Sequence, residues 1–486
     1  MKFKVIFNFL GRILLLEAAV MVLPLIVSLI YQEGFRLYLS FLIPIAVTCC
    51  AGLLLNIKKA PRKLRAKEGF VIVGLSWILM SLFGSIPLMI SGDIPSFFDA
   101  FFEITSGFTT TGACVLNNVE LLHKSIMFWR CFSHWLGGMG VLVLILAFIP
   151  EDSDGTTVHI LRAESPGPQV GKLVSKMRVS SRILYLIYIG ITVLEMILLL
   201  VGPDKDLKLF EAVVISFSTA GTGGFAPLAT SIITYSPYTQ YVIAIFMLIF
   251  AGNFTLYYLI LIGKVKDALK SEELHWYLFF IISGVIVICS SIFRLYNSFE
   301  EAFRLSFFEV ATTISTTGFT VVDYSIWPSA AKWIIVMLML VGGCAGSTGG
   351  AIKVSRFAIL FKGAFYKIKK MINPRHVHVM KFEGAPLSEE VIDSTQNFFI
   401  IYIMLVGVVT LSISILNPQI DILSNLTATL SCIGNVGPAM GIVGYLGDFS
   451  TYSNASKIIF ALTMVIGRLE IYPLLILFAR STWRRV

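Results

Sequence analysis

The sequence predicts an all-α membrane protein with about ten transmembrane helices and four re-entrant pore helices. Two observations support this prediction: the chain is 56% hydrophobic and only 14% charged, and one pattern occurs four times along it. The pattern consists of an apolar helix, a short apolar segment, a polar turn that ends on glycine, and a second apolar helix. We expect these four pseudo-repeated modules to surround one pore, with two extra helices before them.

The amino-acid composition excludes several classes of protein. A soluble protein carries about 25% charged residues, whereas this chain of 486 residues carries 14%. The formal net charge of +9 does not indicate a nucleic-acid partner, because the basic residues fall in one set of loops. The six His and seven Cys residues lack metal-ligand spacing, and catalytic motifs are missing. We therefore expect neither an enzyme nor an organic cofactor.

Ten apolar stretches are long enough to cross a bilayer, which takes about 20 residues. They lie at about 8–31, 37–57, 69–91, 124–149, 180–201, 236–263, 275–295, 330–361, 395–416 and 456–481. The connecting loops are alternately rich and poor in Lys and Arg, so the positive-inside rule places both termini in the cytoplasm. This organisation gives a two-helix region at 1–68 and pore modules at 69–150, 151–272, 273–362 and 363–486.

Four shorter apolar segments, at 95–107, 207–220, 299–314 and 419–432, lie in the outer loops. Helices of this length are re-entrant or interfacial, and an ordinary amphipathic helix on the outer surface is the alternative for any one of them. Irregular backbone at membrane depth is tolerated where it lines a cavity. The turns that follow the segments are therefore predicted to form a cation filter, which comprises Thr110, Thr111, Gly112, Thr222, Gly223, Gly224, Thr316, Thr317, Gly318, Asn435, Val436 and Gly437.

The filter prediction rests on backbone chemistry. Glycine permits the positive φ that aims successive carbonyl groups to one side, and the C-terminal end of each pore helix carries a partial negative charge that favours a cation. Glu103 and Glu309 each lie nine positions before a filter glycine, where they buttress the helices or, alternatively, bind ions. Alignment on the following Phe pairs Gly224 with Gly318, although Gly223 remains an alternative.

A glycine-rich stretch within the eighth predicted span indicates a gate. Five glycines occur in nine residues at 342–350, and glycine destabilises a helix by about 1 kcal/mol relative to alanine. We predict an intramembrane loop below the filter, together with a basic residue of the tenth span that points toward the axis. The predicted gate residues are Gly342, Gly343, Gly346, Ser347, Thr348, Gly349, Gly350, Lys353 and Arg468.

Each gate residue also has an alternative role. The glycines can serve close helix packing. Arg468 can form a buried ion pair with Glu470 or another acid, and Lys353 can extend to the cytoplasmic surface.

Four motifs carry a family resemblance: SHWLGGMG at 133–140, LRAESPGP at 161–168, GGCAGSTGGAIK at 342–353 and GRLEIYP at 467–473. With the filter turns, they span nearly the whole chain. The chain resembles the Trk/Ktr/HKT superfamily of potassium transporters, most closely its bacterial TrkH branch. Family members with Ser at the first filter glycine favour Na⁺, so Gly112 implies K⁺.

The resemblance also implies partners and a location. It implies a homodimer in the bacterial inner membrane, with one pore in each protomer, in contact with membrane lipids. It further implies a cytoplasmic ring of TrkA-type, nucleotide-binding subunits that control gating. The expected function is K⁺ uptake through a gated, channel-like pore, with K⁺ as the transported ion and Rb⁺ also carried. The alternative is a secondary transporter coupled to H⁺ or Na⁺, for which Glu17, His134 and Glu470 are the candidate proton carriers.

Overall fold

The computed structural model describes residues 3–57, 66–140, 177–373, 379–445 and 447–483. The first helices are α1 (Phe3–Val20), α2 (Val22–Ile30) and α3 (Phe35–Asn56). Gly11 and Gly52 let α1 and α3 cross closely, since a methyl carbon on Gly11 would lie 2.6 Å from the Gly52 carbonyl oxygen. Small residues at such crossings allow helices to pack tightly without a hydrophobic driving force.

The first two modules follow in chain order. Module 1 contains α4 (Ala66–Gly84), α5 (Ile86–Ser91), α6 (Phe97–Phe108) and α7 (Lys124–Gly138). Module 2 contains α8 (Met177–Val201), α9 (Leu209–Gly221), α10 (Pro237–Phe250), α11 (Phe254–Leu261) and α12 (Val265–Leu269). The end of the predicted span 124–149, the basic residues of 58–65 and the motif at 161–168 lie outside the described residues.

The last two modules repeat the order. Module 3 contains α13 (Glu272–Ile292), α14 (Phe299–Ile314), α15 (Ser329–Leu340) and α16 (Val354–Ile372). Module 4 contains a hairpin of β1 (Lys381–Phe382) and β2 (Ala385–Pro386), followed by α17 (Glu389–Leu416), α18 (Ile422–Gly434), α19 (Asn454–Arg468), α20 (Tyr472–Phe478) and α21 (Arg480–Trp483). Short 3₁₀ helices occur at Val119–Leu121, Phe293–Leu295, Tyr324–Ile326 and Gly441–Val443.

The second helix is broken rather than continuous in modules 2, 3 and 4. Of the described residues, six helical stretches are long and apolar enough to cross a membrane, and α10 and α11 meet the same criteria when taken together, with a bend of 93° between them. The predicted spans 124–149 and 456–481 contain Gly137 and Gly467. The helices α7 and α19 end within a few residues of these glycines, and α15 ends at the glycine-rich stretch predicted to interrupt the eighth span, because glycine weakens a helix and the chain can leave it there.

The four short helices α6, α9, α14 and α18 are buried within the bundle and are called the pore helices below. The pore helix α9 packs against α7 and α10, and α18 packs against α17 and α19. Large aromatic side chains fill the space around them, including Trp129, Phe108 and Phe308. This core holds the turns at the ends of the pore helices in fixed positions.

Candidate functional site

The pore helices α6, α14 and α18 begin with an N-cap side chain that accepts a backbone hydrogen bond. The hydroxyl of Ser298 accepts a hydrogen bond from the Glu301 N–H at 3.1 Å, and the carboxylate of Asp421 accepts one from the Ser424 N–H at 3.0 Å. The hydrogen bonds that the side chain and the N–H of Ser424 donate to Asp421 lower the pKa of its carboxyl group, so this carboxylate stays charged at neutral pH. Caps satisfy the first free N–H groups of a helix. The opposite ends, with their free carbonyl groups, meet at the four turns.

The four pore helices end in the same backbone geometry. An N–H group two or three residues past the helix donates to the carbonyl five residues back, as in a Schellman motif. The four pairs are Thr111 to Ser106 (2.9 Å), Gly223 to Ser218 (2.8 Å), Thr317 to Thr312 (2.9 Å) and Val436 to Ser431 (2.9 Å). The preceding residue is left-handed in each: Thr110 (φ 55°), Thr222 (φ 55°), Thr316 (φ 58°) and Asn435 (φ 53°).

The glycines of the turns close a ring. Their φ angles are positive: Gly112 at 76°, Gly224 at 79°, Gly318 at 88° and Gly437 at 100°. A methyl carbon added to each would approach a carbonyl oxygen of the next turn, as follows: Gly112 to Gly223 (1.8 Å), Gly224 to Thr317 (2.1 Å), Gly318 to Val436 (2.2 Å) and Gly437 to Thr111 (2.7 Å). Because turn four meets turn one, the turns surround a single axis. The repeated geometry falls on Gly224 rather than on Gly223.

Side-chain hydroxyls stabilise the turns from within the protein wall. Thr109 and Thr111 share a hydrogen bond of 2.8 Å between their hydroxyls, and Ser315 and Thr317 share one of 2.7 Å. The side-chain amide of Asn435 donates to the Thr111 hydroxyl at 2.9 Å, which links turn four to turn one. Since these hydroxyls have partners in the wall, the backbone carbonyls are the groups available to a cation.

Glu103 buttresses the first turn. Its carboxylate accepts hydrogen bonds from Arg130 Nε at 2.9 Å and from the Val115 N–H at 2.9 Å, and both charged side chains are buried. The Arg130 guanidinium also lies 4.1 Å from the Phe225 ring centre. Burial and the adjacent Glu103 carboxylate raise the pKa of the Cys114 thiol, so this cysteine stays protonated. The pair fixes the segment after the first turn.

Glu309 occupies the same register position in module 3 but lacks an arginine partner in the described part of the chain. Its carboxyl is bonded by the Val321 N–H, as Glu103 is by the Val115 N–H. The other oxygen has no hydrogen-bond partner among the described residues. It borders a cavity of about 10 Å³, lined also by Tyr324 and Val436, with room for about one water. The two repeats therefore stabilise equivalent turns by different chemistry.

The glycine-rich stretch forms a loop between α15 and α16, called the gate loop (342–353). Its ends are joined, since the Gly342 N–H donates to the Ile352 carbonyl at 2.9 Å and the Ile352 N–H donates to the Leu340 carbonyl at 3.1 Å. The loop lies directly against the third and fourth turns. The Gly350 N–H donates to the Thr316 hydroxyl at 2.7 Å, and the Lys353 ammonium donates to the Gly349 carbonyl.

The gate loop and the bend between α10 and α11 satisfy each other's backbone groups. The Cys344 N–H donates to the Ala251 carbonyl at 2.9 Å, and the Thr348 N–H donates to the Phe250 carbonyl at 3.3 Å. In return, the Gly346 carbonyl accepts from the Phe254 N–H at 3.3 Å. Broken helices expose free carbonyls and N–H groups that are costly at membrane depth. The two breaks are therefore stable together.

Arg468 connects three modules. Its guanidinium donates to the carbonyl oxygens of Gly137 (2.5 Å) and Gly138 (2.7 Å) in module 1, and of Thr348 (2.7 Å) in the gate loop. The predicted alternative was an ion pair of Arg468 with Glu470 or another acid, and the structure pairs Glu470 with Arg356. A planar guanidinium suits this position because its fork of donors reaches several acceptors at once.

Two of the three candidate proton carriers, His134 and Glu470, bind other residues of the protein. The His134 Nδ1 atom lies 2.7 Å from the Gly107 carbonyl oxygen and therefore donates, and Nε2 accepts from the Phe225 N–H at 3.4 Å. The Glu470 carboxylate is paired with Arg356. Glu17 is buried in α1, and its oxygens lack hydrogen-bond partners among the described residues.

The structure also brings residues to the site that the sequence analysis missed. Glu273, in the first turn of α13, accepts from the Ala345 N–H of the gate loop at 2.7 Å. A buried acid at the start of an apolar span was the signal that could have identified it. Among the described residues, no group of three or more His, Cys, Asp and Glu side chains could hold a metal ion.

Comparison with known proteins gives consistent matches along the chain. The TrkH family model, described as a cation transport protein, matches residues 39–484. The chain is 32% identical to the Trk system potassium uptake proteins TrkH of Halomonas elongata and of Escherichia coli K12, over 100% of each chain. The crystal structure of the potassium transporter TrkH from Vibrio parahaemolyticus shares the fold, with a TM-score of 0.89 and 30% identity over 100% of both chains. The chain therefore belongs to the TrkH family of cation transport proteins, and it is a multi-pass membrane protein with a transport function rather than an enzyme.

Proposed function

We propose that this protein takes up K⁺ through a gated, channel-like pore whose filter is the ring of four turns. The observation that supports the proposal is the closed order of the glycine-to-carbonyl approaches, which places four equivalent carbonyls around one axis. Carbonyl oxygens in such a ring replace the hydration shell of a cation. The printed names of the relatives, potassium uptake proteins, support K⁺ as the ion.

The gate in this proposal is the loop 342–353 together with Arg468. The loop lies beneath turn three, with the Gly350 N–H bonded to the Thr316 hydroxyl at 2.7 Å. Arg468 places a fixed positive charge between the gate loop and module 1. A cation leaving the filter would meet both the loop and this charge, so conduction requires that the loop move.

The proposal extends to the assembly. The protein acts in the bacterial inner membrane, with both termini in the cytoplasm, as a homodimer that binds a cytoplasmic TrkA-like nucleotide-binding subunit. Support comes from the relatives, which are named as components of a Trk system. Such a subunit would act on the cytoplasmic ends of the module helices. Chemical cross-linking in native membranes tests the dimer, and co-purification with the subunit tests the regulatory partner.

The first experiment is Rb⁺ uptake into proteoliposomes that contain this chain alone, with the membrane potential clamped. Uptake that follows the electrical gradient and is blocked by K⁺ far better than by Na⁺ or Li⁺ is the expected result. Uptake that requires an imposed pH or Na⁺ gradient would instead establish the coupled transporter. Among the sequence-predicted carriers, that alternative now rests on Glu17, since His134 and Glu470 have structural partners.

A further inference from the structure

A short hairpin before α17 is packed against the helices of modules 3 and 4. Its strands pair Lys381 with Pro386 and Phe382 with Ala385. The turn residues Glu383 (φ 50°) and Gly384 (φ 74°) are both left-handed, as in a type I′ turn. Phe382 is 2% exposed and lies in a buried cluster with residues of α16 and α17. The hairpin is thus anchored, and its turn is held in a defined position.

The turn of the hairpin caps the N-terminus of α13. The Glu383 carboxylate accepts hydrogen bonds from the Ser271 hydroxyl at 2.8 Å and from the Glu273 N–H at 2.9 Å. In the other direction, the Glu383 N–H donates to the Glu272 carboxylate at 3.3 Å, and Lys362 of α16 pairs with Glu272. A helix N-terminus stabilises a carboxylate through its free N–H groups and its dipole.

Glu273, whose N–H donates to the Glu383 cap, also binds the gate loop. The Glu273 carboxylate accepts from the Ala345 N–H at 2.7 Å and from the Asn253 side-chain amide at 3.1 Å. Asn253 lies at the bend between α10 and α11, and Ala345 lies within the gate loop. Glu273 is only 4% exposed, so moving the loop away would leave a buried acceptor without its partner.

We propose that the hairpin at 380–387 is a latch that keeps the gate loop closed, acting through Glu383 and Glu273. The inference rests on the gate assignment made under the proposed function. Glu383 is a positioning residue, because its hydrogen bonds to the described residues are with the start of α13. Glu273 transmits that position to Ala345. Displacement of the hairpin shifts Glu273 and releases the gate loop. The hairpin is therefore the element through which a cytoplasmic protein opens the pore.

The test compares three variants of the full chain in proteoliposomes. Glu383→Ala removes the cap, Glu383→Gln retains an acceptor oxygen, and Glu390→Ala is the matched control, since Glu390 is an exposed acid in the first turn of α17. One readout is Rb⁺ flux. The other is the rate at which a thiol reagent modifies Cys344, which is buried in the gate loop, measured by peptide mass spectrometry.

Glu383→Ala is expected to raise both the Rb⁺ flux and the Cys344 modification rate about tenfold, which corresponds to about 1.4 kcal/mol. Glu383→Gln is expected to give a smaller rise, and Glu390→Ala none. Unchanged modification of Cys344 in a monodisperse Glu383→Ala protein would overturn the latch, as would an equal rise in the control. If deletion of residues 346–350 raises flux while Glu383→Ala does not, the latch alone fails. If that deletion also leaves flux unchanged, the gate assignment fails, and the latch fails with it.

Discussion

Replacement of Arg468 by alanine tests the gate most directly. The side chain donates to the gate loop, 2.7 Å from Nη1 to the Thr348 carbonyl oxygen, while its bonds to Gly137 and Gly138 fix its own position. A hydrogen bond to a charged group contributes about 1.5–3 kcal/mol. If the loop bond exists only in the closed state, its loss shifts the closed–open equilibrium by about 10- to 150-fold toward the open state.

The assay is single-channel recording, or Rb⁺ flux at a clamped potential, on the wild type and two variants. Arg468→Ala removes both the fork of donors and the charge, and is expected to increase open probability and flux. Arg468→Lys retains the charge but cannot reach two modules with a planar fork. If the open probability of Arg468→Lys is close to that of Arg468→Ala, the hydrogen bonds of Arg468 account for the effect. If it is close to that of the wild type, the positive charge accounts for it. Flux in Arg468→Ala at or below the wild-type level, in well-folded protein, would refute the reasoning.

The remaining predictions concern the filter and its supports. Gly318→Ser should weaken discrimination between K⁺ and Na⁺, because an added Cβ atom would lie 2.2 Å from a carbonyl oxygen of the next turn; unchanged relative fluxes would count against a filter role. Thr316→Val removes the hydroxyl that accepts from the gate loop and should raise Rb⁺ flux several-fold, whereas equal flux would mean that this bond does not favour closure. Glu103→Gln should destabilise the protein by about 3–5 kcal/mol, since it leaves a buried arginine without its anionic partner. Glu309→Gln is the matched control and should cost less in thermal unfolding, and similar losses in both would contradict the difference between the repeats.

Much of the fold could be predicted from local patterns in the sequence. The low charged fraction, the apolar runs and the four glycine turns are each read from neighbouring residues, and the resulting membrane class and helical fold are confirmed. The pore helix predicted at 299–314 has the bounds Phe299–Ile314, and the other three begin two or three residues later than predicted. These segments were predictable because burial and glycine geometry act within a few residues.

The point at which the second helix of each module ends could not be predicted from hydropathy. Apolar residues continue through the bend between α10 and α11 and through the break after Arg468, yet the helix ends. The backbone groups exposed at each break are satisfied by another module, as the Phe250 and Ala251 carbonyls are by the gate loop. A sequence pattern records how apolar a segment is, but it does not record a hydrogen-bond partner about 100 residues away.

The sequence by itself determined that the chain is a membrane protein with four repeated turns and one glycine-rich interruption. Only the tertiary structure decided how those parts meet: the cyclic order of the turns, the pairing of Glu470 with Arg356, and the contact of Glu273 with the gate loop. Glu103 and Glu309 show the difference most clearly, because they share a register position but, among the described residues, only Glu103 has a buried arginine beside it. Helix and turn preferences are local, whereas charge pairing and pore closure depend on which distant segments are brought into contact.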